Sequence, residues 1–247
     1  MNAVIQNTCQ EKLDYAFHGN PEDLSRVILI GHGVTGDKDR PWSIALAEAL
    51  AEAGINALRF SFSGNGNSDG DFRDSTISKE ADDLNAVIEA VKNAGYTQIG
   101  FAGHSMGGAV GVITAAKDPR INFLISLAGM VHTAKFTKVE FGDQTPDKGF
   151  MWDEPDCPLS SAYVDDLTSI DSVLALGPQI HIPWLLIHGT EDDVVPIAES
   201  REMIDQSSES GSTKNWELVE ISGSNHVFAD HGLQPMIDAV IAWLKNL

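Results

Sequence analysis

Residues Ile99–Lys117 read IGFAGHSMGGAVGVITAAK and combine an apolar strand, a tight glycine-rich turn and a helix. The strand is expected at Ile99–Ala102, and the small residues after Met106 predict a helix that packs closely on it. Between them, Gly103–Gly107 match the pattern G-x-S-x-G, in which a strained turn presents a serine side chain to a cleft. Ser105 is therefore the predicted nucleophile, at a helix N-terminus whose N–H groups and dipole favour an oxyanion.

The rest of the chain repeats this order of a short apolar strand followed by an amphipathic helix. The predicted strands are Lys12–Phe17, Val27–Ile30, Ile55–Phe60, Ile99–Ala102, Phe123–Leu127, Ile182–Ile187 and Trp216–Ile221. The predicted helices are Pro41–Ala53, Thr76–Ala94, Met106–Lys117, Ala198–Gln206 and Pro235–Leu244. Such alternation predicts an α/β protein with a mostly parallel central sheet and helices on both faces.

The stretch from residue 130 to residue 180 interrupts this order. It is rich in proline, aspartate and aromatic residues. The aromatic residues are Phe136, Phe141, Phe150, Trp152 and Tyr163. A segment of about fifty residues barely supports a core of its own. We therefore predict one domain over residues 1–247, with a core formed by 1–129 and 181–247 and a small cap inserted at 130–180.

The composition of the 247 residues excludes several classes of protein. None of the apolar runs approaches the roughly 18 residues that cross a bilayer. The 16 basic and 36 acidic residues give a net charge of −20, which disfavours nucleic acids and anionic lipids as partners. The N-terminus shows no signal-peptide pattern, and Cys9 and Cys157 are too few for a disulfide framework. We expect a cytoplasmic protein, monomeric or a homodimer, that binds neither nucleic acids nor membranes.

Two other glycine motifs compete with the turn at Ser105. Gly31–Gly36 (GHGVTG) matches a dinucleotide-binding pattern, but residues 37–40 separate it from the helix predicted at Pro41, and no acidic residue ends the next strand. Gly66–Gly70 (GNSDG) also matches G-x-S-x-G, but it lies in a polar loop without a helix directly after it. Ser68 is therefore expected to be a loop hydroxyl, and no cofactor is predicted.

A serine nucleophile needs a base and an acid that orients the base. His226 follows the last predicted strand through the loop SGSN, so it lies at the carboxyl edge of a parallel sheet, as Ser105 does. His231 is the rival base, and a metal site formed by both histidines with nearby aspartates lacks a recognised ligand spacing. The acid is expected in the segment HGTEDDVVP, where the pattern leaves the choice between Asp192 and Asp193 open.

These segments together resemble the α/β-hydrolase family. The resemblance rests on the HG pair at His32 and Gly33, on GHSMGG, on HGTEDDVVP and on GSNHVF, and it covers residues 27 to 228. It implies the α/β-hydrolase fold and places the acid of the family pattern H-G-x-x-D-x-x-V-P on Asp192. It also implies an oxyanion hole formed by the N–H groups of Val34 and Met106.

A narrower resemblance is to the bacterial feruloyl and cinnamoyl esterases. It rests on HGVTGDKD and on RFSFSGNGNSDGDFRDSTISKEADDL, and it implies a small cap that shapes the acyl pocket. Tyr163 falls where those enzymes place a cap tyrosine. The predicted substrate-binding residues are His32, Gly33, His104, Trp152 and Tyr163.

The predicted function is hydrolysis of carboxylic esters by a Ser-His-Asp triad, Ser105, His226 and Asp192, through an acyl-enzyme. The expected substrates carry small to medium acyl or hydroxycinnamoyl groups, and neither a metal nor an organic cofactor is required. The same triad could instead serve a thioesterase, a lactonase or an aminopeptidase. A non-catalytic protein that uses the fold to bind a hydrophobic ligand is the alternative from a different class.

Overall fold

The computed structural model describes residues 4–209 and 215–247, and within them seven strands form the main sheet. The described strands are β1 Ile5–Gln6, β2 Lys12–Leu13, β3 Tyr15–His18, β4 Arg26–Gly31, β5 Asn56–Phe60, β6 Gln98–His104, β7 Ile121–Leu127, β8 Trp184–Gly189 and β9 Trp216–Ile221. The order of strands across the main sheet is β3-β5-β4-β6-β7-β8-β9, with β3 antiparallel to β5 and all other neighbours parallel.

The helices lie on both faces of this sheet, as the sequence predicts. They are α1 Pro41–Glu52, α2 Ile77–Asn93, α3 Met106–Ala115, α4 Thr133–Phe141, α5 Ser161–Ile170, α6 Ala198–Glu209 and α7 Leu233–Leu244. Pro41 occupies the first turn of α1, and the Thr76 side chain caps α2 by accepting a hydrogen bond from the Lys79 N–H at 3.2 Å. None of the described helices is both long and apolar enough to span a membrane.

The prediction of one strand at Lys12–Phe17 is wrong, because this segment belongs to two sheets. Lys12 and Leu13 pair antiparallel with β1, whereas Tyr15–His18 pairs antiparallel with β5. Between the two strands, the N–H of Asp14 donates to the Ser68 hydroxyl at 2.8 Å instead of joining a ladder. The alternation of apolar and polar residues continues through this point, so periodicity alone does not reveal the division.

Successive side chains of the central strand β4 face two separate cores. Val27 and Leu29 pack in a cluster with residues of α2 and α3, whereas Ile28 and Ile30 pack in a cluster with residues of α1 and α7. A strand that is buried on both faces has no polar side, which explains why the segment VILI is apolar throughout.

Chain order and strand order diverge at one place in the sheet. From β4 the chain passes through α1 to β5 on one side, and it then returns through α2 to β6 on the other side of β4. The direction in which the chain adds strands therefore reverses between β4 and β6, and the carboxyl ends of these two strands border a crevice. Parallel sheets bind ligands in the crevice at such a switch point. The loop that follows β4 begins at His32, and the turn that follows β6 contains Ser105.

The segment between β7 and β8 contains α4, α5 and two 3₁₀ turns. Phe136 and Phe141 are buried, with ring centroids 6.0 Å apart, and Trp152 lies 5.1 Å from Phe141 while remaining 40% exposed. The Trp152 Nε1–H donates to the carboxylate of Glu140 on α4 at 2.8 Å. Two of these aromatic residues thus stabilise the inserted segment, and Trp152 lies at its surface.

A buried carboxyl group on α2 has a measurable consequence for stability. Glu80 is 1% exposed, and its Oε1 accepts a hydrogen bond from the Ser75 hydroxyl at 3.2 Å, while its Oε2 has no hydrogen-bond partner among the described residues. Burial and the nearby Asp83 carboxyl raise the pKa of Glu80 well above its ordinary value. The folded protein therefore retains a proton on Glu80 at pH values where the unfolded chain has lost it.

We expect Glu80→Gln to stabilise the protein by an amount that increases with pH. A raised folded-state pKa means that the stability contributed by Glu80 is lost as the pH rises from about 4.5 toward the folded-state value, and glutamine has no proton to lose. In that window the difference in unfolding free energy should grow by about 1.4 kcal/mol per pH unit. Urea unfolding of both proteins at several pH values measures it, with Glu52→Gln, at an exposed position of α1, as the control. A difference that is constant with pH would contradict the prediction.

Candidate active site

Ser105 stands at a strained turn between β6 and α3. Its φ and ψ angles are 53° and −119°, so it has the positive φ that the G-x-S-x-G turn requires, as predicted. Glycine is needed around it because a Cβ at Gly103 would lie 2.1 Å from the Gly107 carbonyl oxygen, and a Cβ at Gly107 would lie 2.5 Å from the His32 carbonyl oxygen. Met106 is the first residue of α3, so its N–H has no carbonyl partner within the helix.

The loop after β4 packs directly on the Ser105 side chain. A Cβ at Gly33 would lie only 2.7 Å from the Ser105 Cβ, so the loop backbone can approach the serine only with glycine at this position. Val34 follows Gly33 and lines the same cavity as Ser105. This arrangement places the backbone of residues 33 and 34 beside the hydroxyl group.

His32 holds this loop from inside the protein. Its Nε2 accepts a hydrogen bond from the Phe62 N–H at 3.0 Å, and its Nδ1–H donates to the Gly33 carbonyl at 2.9 Å. Burial lowers the pKa of His32 to about 4, so the ring is neutral. Both nitrogens are engaged by the backbone, and His32 does not line the cavity described below, so substrate binding by His32 stays a prediction.

Asp192 and His226 form the acid–histidine pair of the site. The Asp192 side chain is fully buried, and its Oδ2 accepts a hydrogen bond from the His226 Nδ1–H at 2.8 Å. A proton on Nδ1 leaves Nε2 as the acceptor nitrogen of the neutral ring. The neighbouring acids Glu191 and Asp193 are exposed.

The Asp192 carboxylate has further partners on its own loop. Its Oδ1 accepts hydrogen bonds from the N–H groups of Val194 and Val195 at 3.0 and 2.9 Å, and its Oδ2 lies 3.1 Å from the His188 Nε2. Burial raises the pKa of Asp192, but hydrogen bonds from His188 and His226 outweigh it and hold the pKa below its ordinary value. Asp192 is therefore an anion at neutral pH.

His104 connects the turn at Ser105 to the loop that carries His226. Its Nε2–H donates to the carbonyl of His226 at 2.9 Å, and the centroids of the two rings are 4.8 Å apart. The ring of Trp42 also packs against His104, with the ring centroids 4.9 Å apart. Burial lowers the pKa of His104 to about 3, so this ring is neutral and holds the His226 backbone in place.

A cavity of about 300 Å³ opens above Ser105 at the switch point of the sheet. Its lining residues are Gly33, Val34, Thr35, Gly36, Arg40, Trp42, His104, Ser105, Trp152, Val194, His226 and Val227. The nucleophile and base candidates thus share one mostly apolar cavity with a few polar groups, which is the usual composition of a small-molecule site.

The structure brings three of the five predicted substrate-binding residues to this cavity, but not His32 or Tyr163. Gly33, His104 and Trp152 line it. Tyr163 is 1% exposed and lies behind the loop after β4, against Val34, Met106 and Glu80. The Tyr163 ring is thus buried outside the reaction cavity, and its contact with substrate stays a prediction.

The competing motifs have structural roles. The Ser68 hydroxyl donates to the Ser61 carbonyl at 2.7 Å and accepts from the Asp14 N–H, so it is a loop hydroxyl, as predicted.

Among residues 4–209 and 215–247, no three His, Cys, Asp or Glu side chains are grouped as they would be to bind a metal ion.

Sequence reasoning missed several residues of the site. Trp42 and Arg40 line the cavity from the start of α1, and the Arg40 Nη2–H donates to the Thr35 carbonyl at 2.7 Å. A signal existed, because α1 begins directly after the loop that faces Ser105. The contact of His188 with Asp192 was also missed, since the sequence shows His188 only as the first residue of the segment HGTEDDVVP.

Known proteins similar to this chain share its fold. The model of the prolyl oligopeptidase family (Peptidase_S9) matches residues 42–247. Est1E from Butyrivibrio proteoclasticus, solved with ferulic acid bound, superposes with a TM-score of 0.86 at 27% identity, over 99% of this chain and 98% of that one. The narrower resemblance to bacterial feruloyl esterases is thereby confirmed.

Two curated relatives are named as enzymes that transfer or hydrolyse acyl groups. An acyl transferase from Shewanella hanedai is 28% identical over 83% of this chain and 70% of its own length. The human mitochondrial palmitoyl-protein thioesterase ABHD10 is 27% identical over 66% of this chain and 56% of its own length. The predicted fold and the predicted hydrolase class are confirmed, and this chain belongs to the prolyl oligopeptidase family of α/β-hydrolases.

Proposed function

We propose that the protein is a serine carboxylesterase in which Ser105 is the nucleophile, His226 the base and Asp192 the acid. One observation carries the proposal: Ser105 and His226 line the same cavity, and the His226 Nδ1–H donates to the buried Asp192 carboxylate. This hydrogen bond leaves Nε2 free to accept the serine proton. The thioesterase name of one relative and the ferulic acid bound to Est1E support the same class of reaction.

The reaction follows from these positions. The Ser105 Oγ attacks the ester carbonyl carbon while His226 Nε2 takes its proton, and the resulting imidazolium is stabilised by the Asp192 carboxylate. The N–H groups of Val34 and Met106 donate to the oxyanion. His226 then protonates the leaving alcohol, and a water molecule, activated by the same base, hydrolyses the acyl-enzyme.

The cavity favours small to medium acyl groups. Its volume of about 300 Å³ is at the lower end of ligand pockets, and Trp42, Val194 and Trp152 give it apolar walls. A flat aromatic acyl group such as a hydroxycinnamoyl group suits such walls, and Est1E, which has ferulic acid bound, supports this choice. Residues 130–180 act as the cap of this pocket through Trp152.

Fluorophosphonate labelling tests the proposal because the reagent forms a covalent bond with an activated serine. We expect labelling of the wild type and of Ser68→Ala, which removes the other serine in a G-x-S-x-G motif, and no labelling of Ser105→Ala. In parallel, the wild type should hydrolyse p-nitrophenyl acetate or methyl ferulate. A folded wild type that neither reacts with the probe nor hydrolyses an ester, but is stabilised thermally by ferulate, would instead indicate a ligand-binding protein.

A further inference from the structure

His188 is a buried histidine at the end of β8 that the reaction above does not use. Its side chain is fully buried, and it is absent from the residues that line the reaction cavity. Its Nε2 lies 2.8 Å from the Val195 carbonyl oxygen and 3.1 Å from Asp192 Oδ2, and its Nδ1 lies 2.7 Å from the Ser200 hydroxyl on α6. Every polar atom of the ring therefore has a partner.

These partners fix where the proton of His188 resides. A carbonyl oxygen can only accept a hydrogen bond, so Nε2 must carry the proton that faces Val195 and Asp192. The Ser200 hydroxyl can then donate to Nδ1. A ring with this one proton satisfies these contacts: its Nε2–H donates to the Val195 carbonyl, and Nε2 also lies 3.1 Å from the carboxylate oxygen that accepts the His226 Nδ1–H.

Four N–H groups thus surround the Asp192 carboxylate. Val194 and Val195 donate to Oδ1, His226 donates to Oδ2, and the His188 Nε2 lies 3.1 Å from Oδ2. An ionised carboxylate has about four acceptor positions, and the His188 N–H, which it shares with the Val195 carbonyl, is the fourth polar group beside it. Without the His188 donor, Oδ2 would be held from one side only, by the very histidine that must be oriented.

We infer that His188 is a positioning residue for the proposed hydrolysis, holding Asp192 Oδ2 in the place where it orients His226. This inference rests on the proposed function. His188 acts through Asp192 and touches neither substrate nor the reacting atoms. The Ser200 hydroxyl, which is hydrogen-bonded to the His188 Nδ1, fixes the plane of the imidazole ring.

Two polar substitutions separate this role from simple packing. The amide nitrogen of glutamine in His188→Gln can take the position of Nε2 and donate to Asp192, whereas the shorter asparagine in His188→Asn reaches only the Nδ1 side, toward Ser200. We expect His188→Asn to lower kcat about 10- to 100-fold, by analogy with the range found when the hydrogen-bond partner of a metal-ligating residue is removed. KM should change little, and His188→Gln should restore most of kcat.

A double-mutant cycle with Asp192→Asn gives the decisive readout. If His188 acts through the carboxylate, His188→Asn should lower kcat by no more than about twofold once Asp192 is already asparagine. Equal losses in His188→Asn and His188→Gln, or an undiminished loss in the Asp192→Asn background, would overturn the inference. Circular dichroism and thermal melting show that each variant is folded.

Failure of this inference can be told apart from failure of the proposed function. Full activity in Ser105→Ala would reject the triad whatever the His188 variants do. Loss of activity in Ser105→Ala combined with wild-type kcat in His188→Asn would reject only the positioning role.

Discussion

Replacing Ser105 by alanine should lower kcat by about 10⁴- to 10⁶-fold, and replacing His226 should cost about as much. The reason is that the Ser105 hydroxyl and the His226 base act in one step, so either is useless without the other. The double variant Ser105→Ala/His226→Ala should therefore be only slightly slower than each single variant. Steady-state hydrolysis of p-nitrophenyl acetate, with active-site titration to exclude wild-type contamination, measures all three.

The non-additivity is the sharper part of this expectation. Losses that multiply in the double variant would mean that Ser105 and His226 act independently, and the triad would then be wrong. Ser68→Ala is the matched control for the serine, because the Ser68 hydroxyl bonds the backbone of Ser61 and Asp14 and lies outside the reaction cavity. It should retain wild-type kcat if it remains folded.

Asp192→Asn should lower kcat by about 10⁴-fold while leaving the fold intact. The asparagine amide donates a hydrogen bond where the carboxylate accepted one, so His226 would turn its unprotonated nitrogen toward position 192. Its Nε2 would then carry the proton and could not accept one from Ser105. The pH dependence and size of kcat for Asp192→Asn measure this loss.

Asp193→Asn provides the control for that substitution. Asp193 is the neighbouring acid in the same loop and is exposed, whereas the Asp192 side chain is fully buried against His226 and His188. Asp193→Asn should keep kcat within about twofold of the wild type. A larger loss of kcat in Asp193→Asn than in Asp192→Asn would identify Asp193, and not Asp192, as the acid of the triad.

The core of the fold could be predicted because its elements follow local signals. The segment Trp216–Ile221 coincides with β9, and α1 begins at Pro41, where the ring fixes φ for a first helical turn. The division of Lys12–Phe17 could not be predicted, because it depends on a hydrogen bond between Asp14 and Ser68, which are far apart in sequence. Such long-range pairing leaves no trace in local periodicity.

The residues of the site likewise differ in whether local sequence or long-range packing determines their position. The strained turn at Ser105 is encoded by its neighbouring glycines, so the motif reveals it directly. The motifs place His32 and Tyr163 among the predicted substrate-binding residues. The His32 ring is held by the Phe62 N–H, and the Tyr163 ring is buried outside the reaction cavity, neither of which the motifs reveal. The burial of His188 against Asp192 likewise arises only when β8 and the following loop pack together.

The hydrogen bond from His104 to the His226 carbonyl has a consequence for heat inactivation. It joins the end of β6, a central strand, to the surface loop that carries the base, and it does so through the loop backbone and not through the reacting ring. This bond therefore helps to hold the base near the nucleophile while the sheet stays folded. Activity should persist up to the melting temperature and disappear together with the tertiary structure, so residual activity reports directly on the fraction of folded molecules.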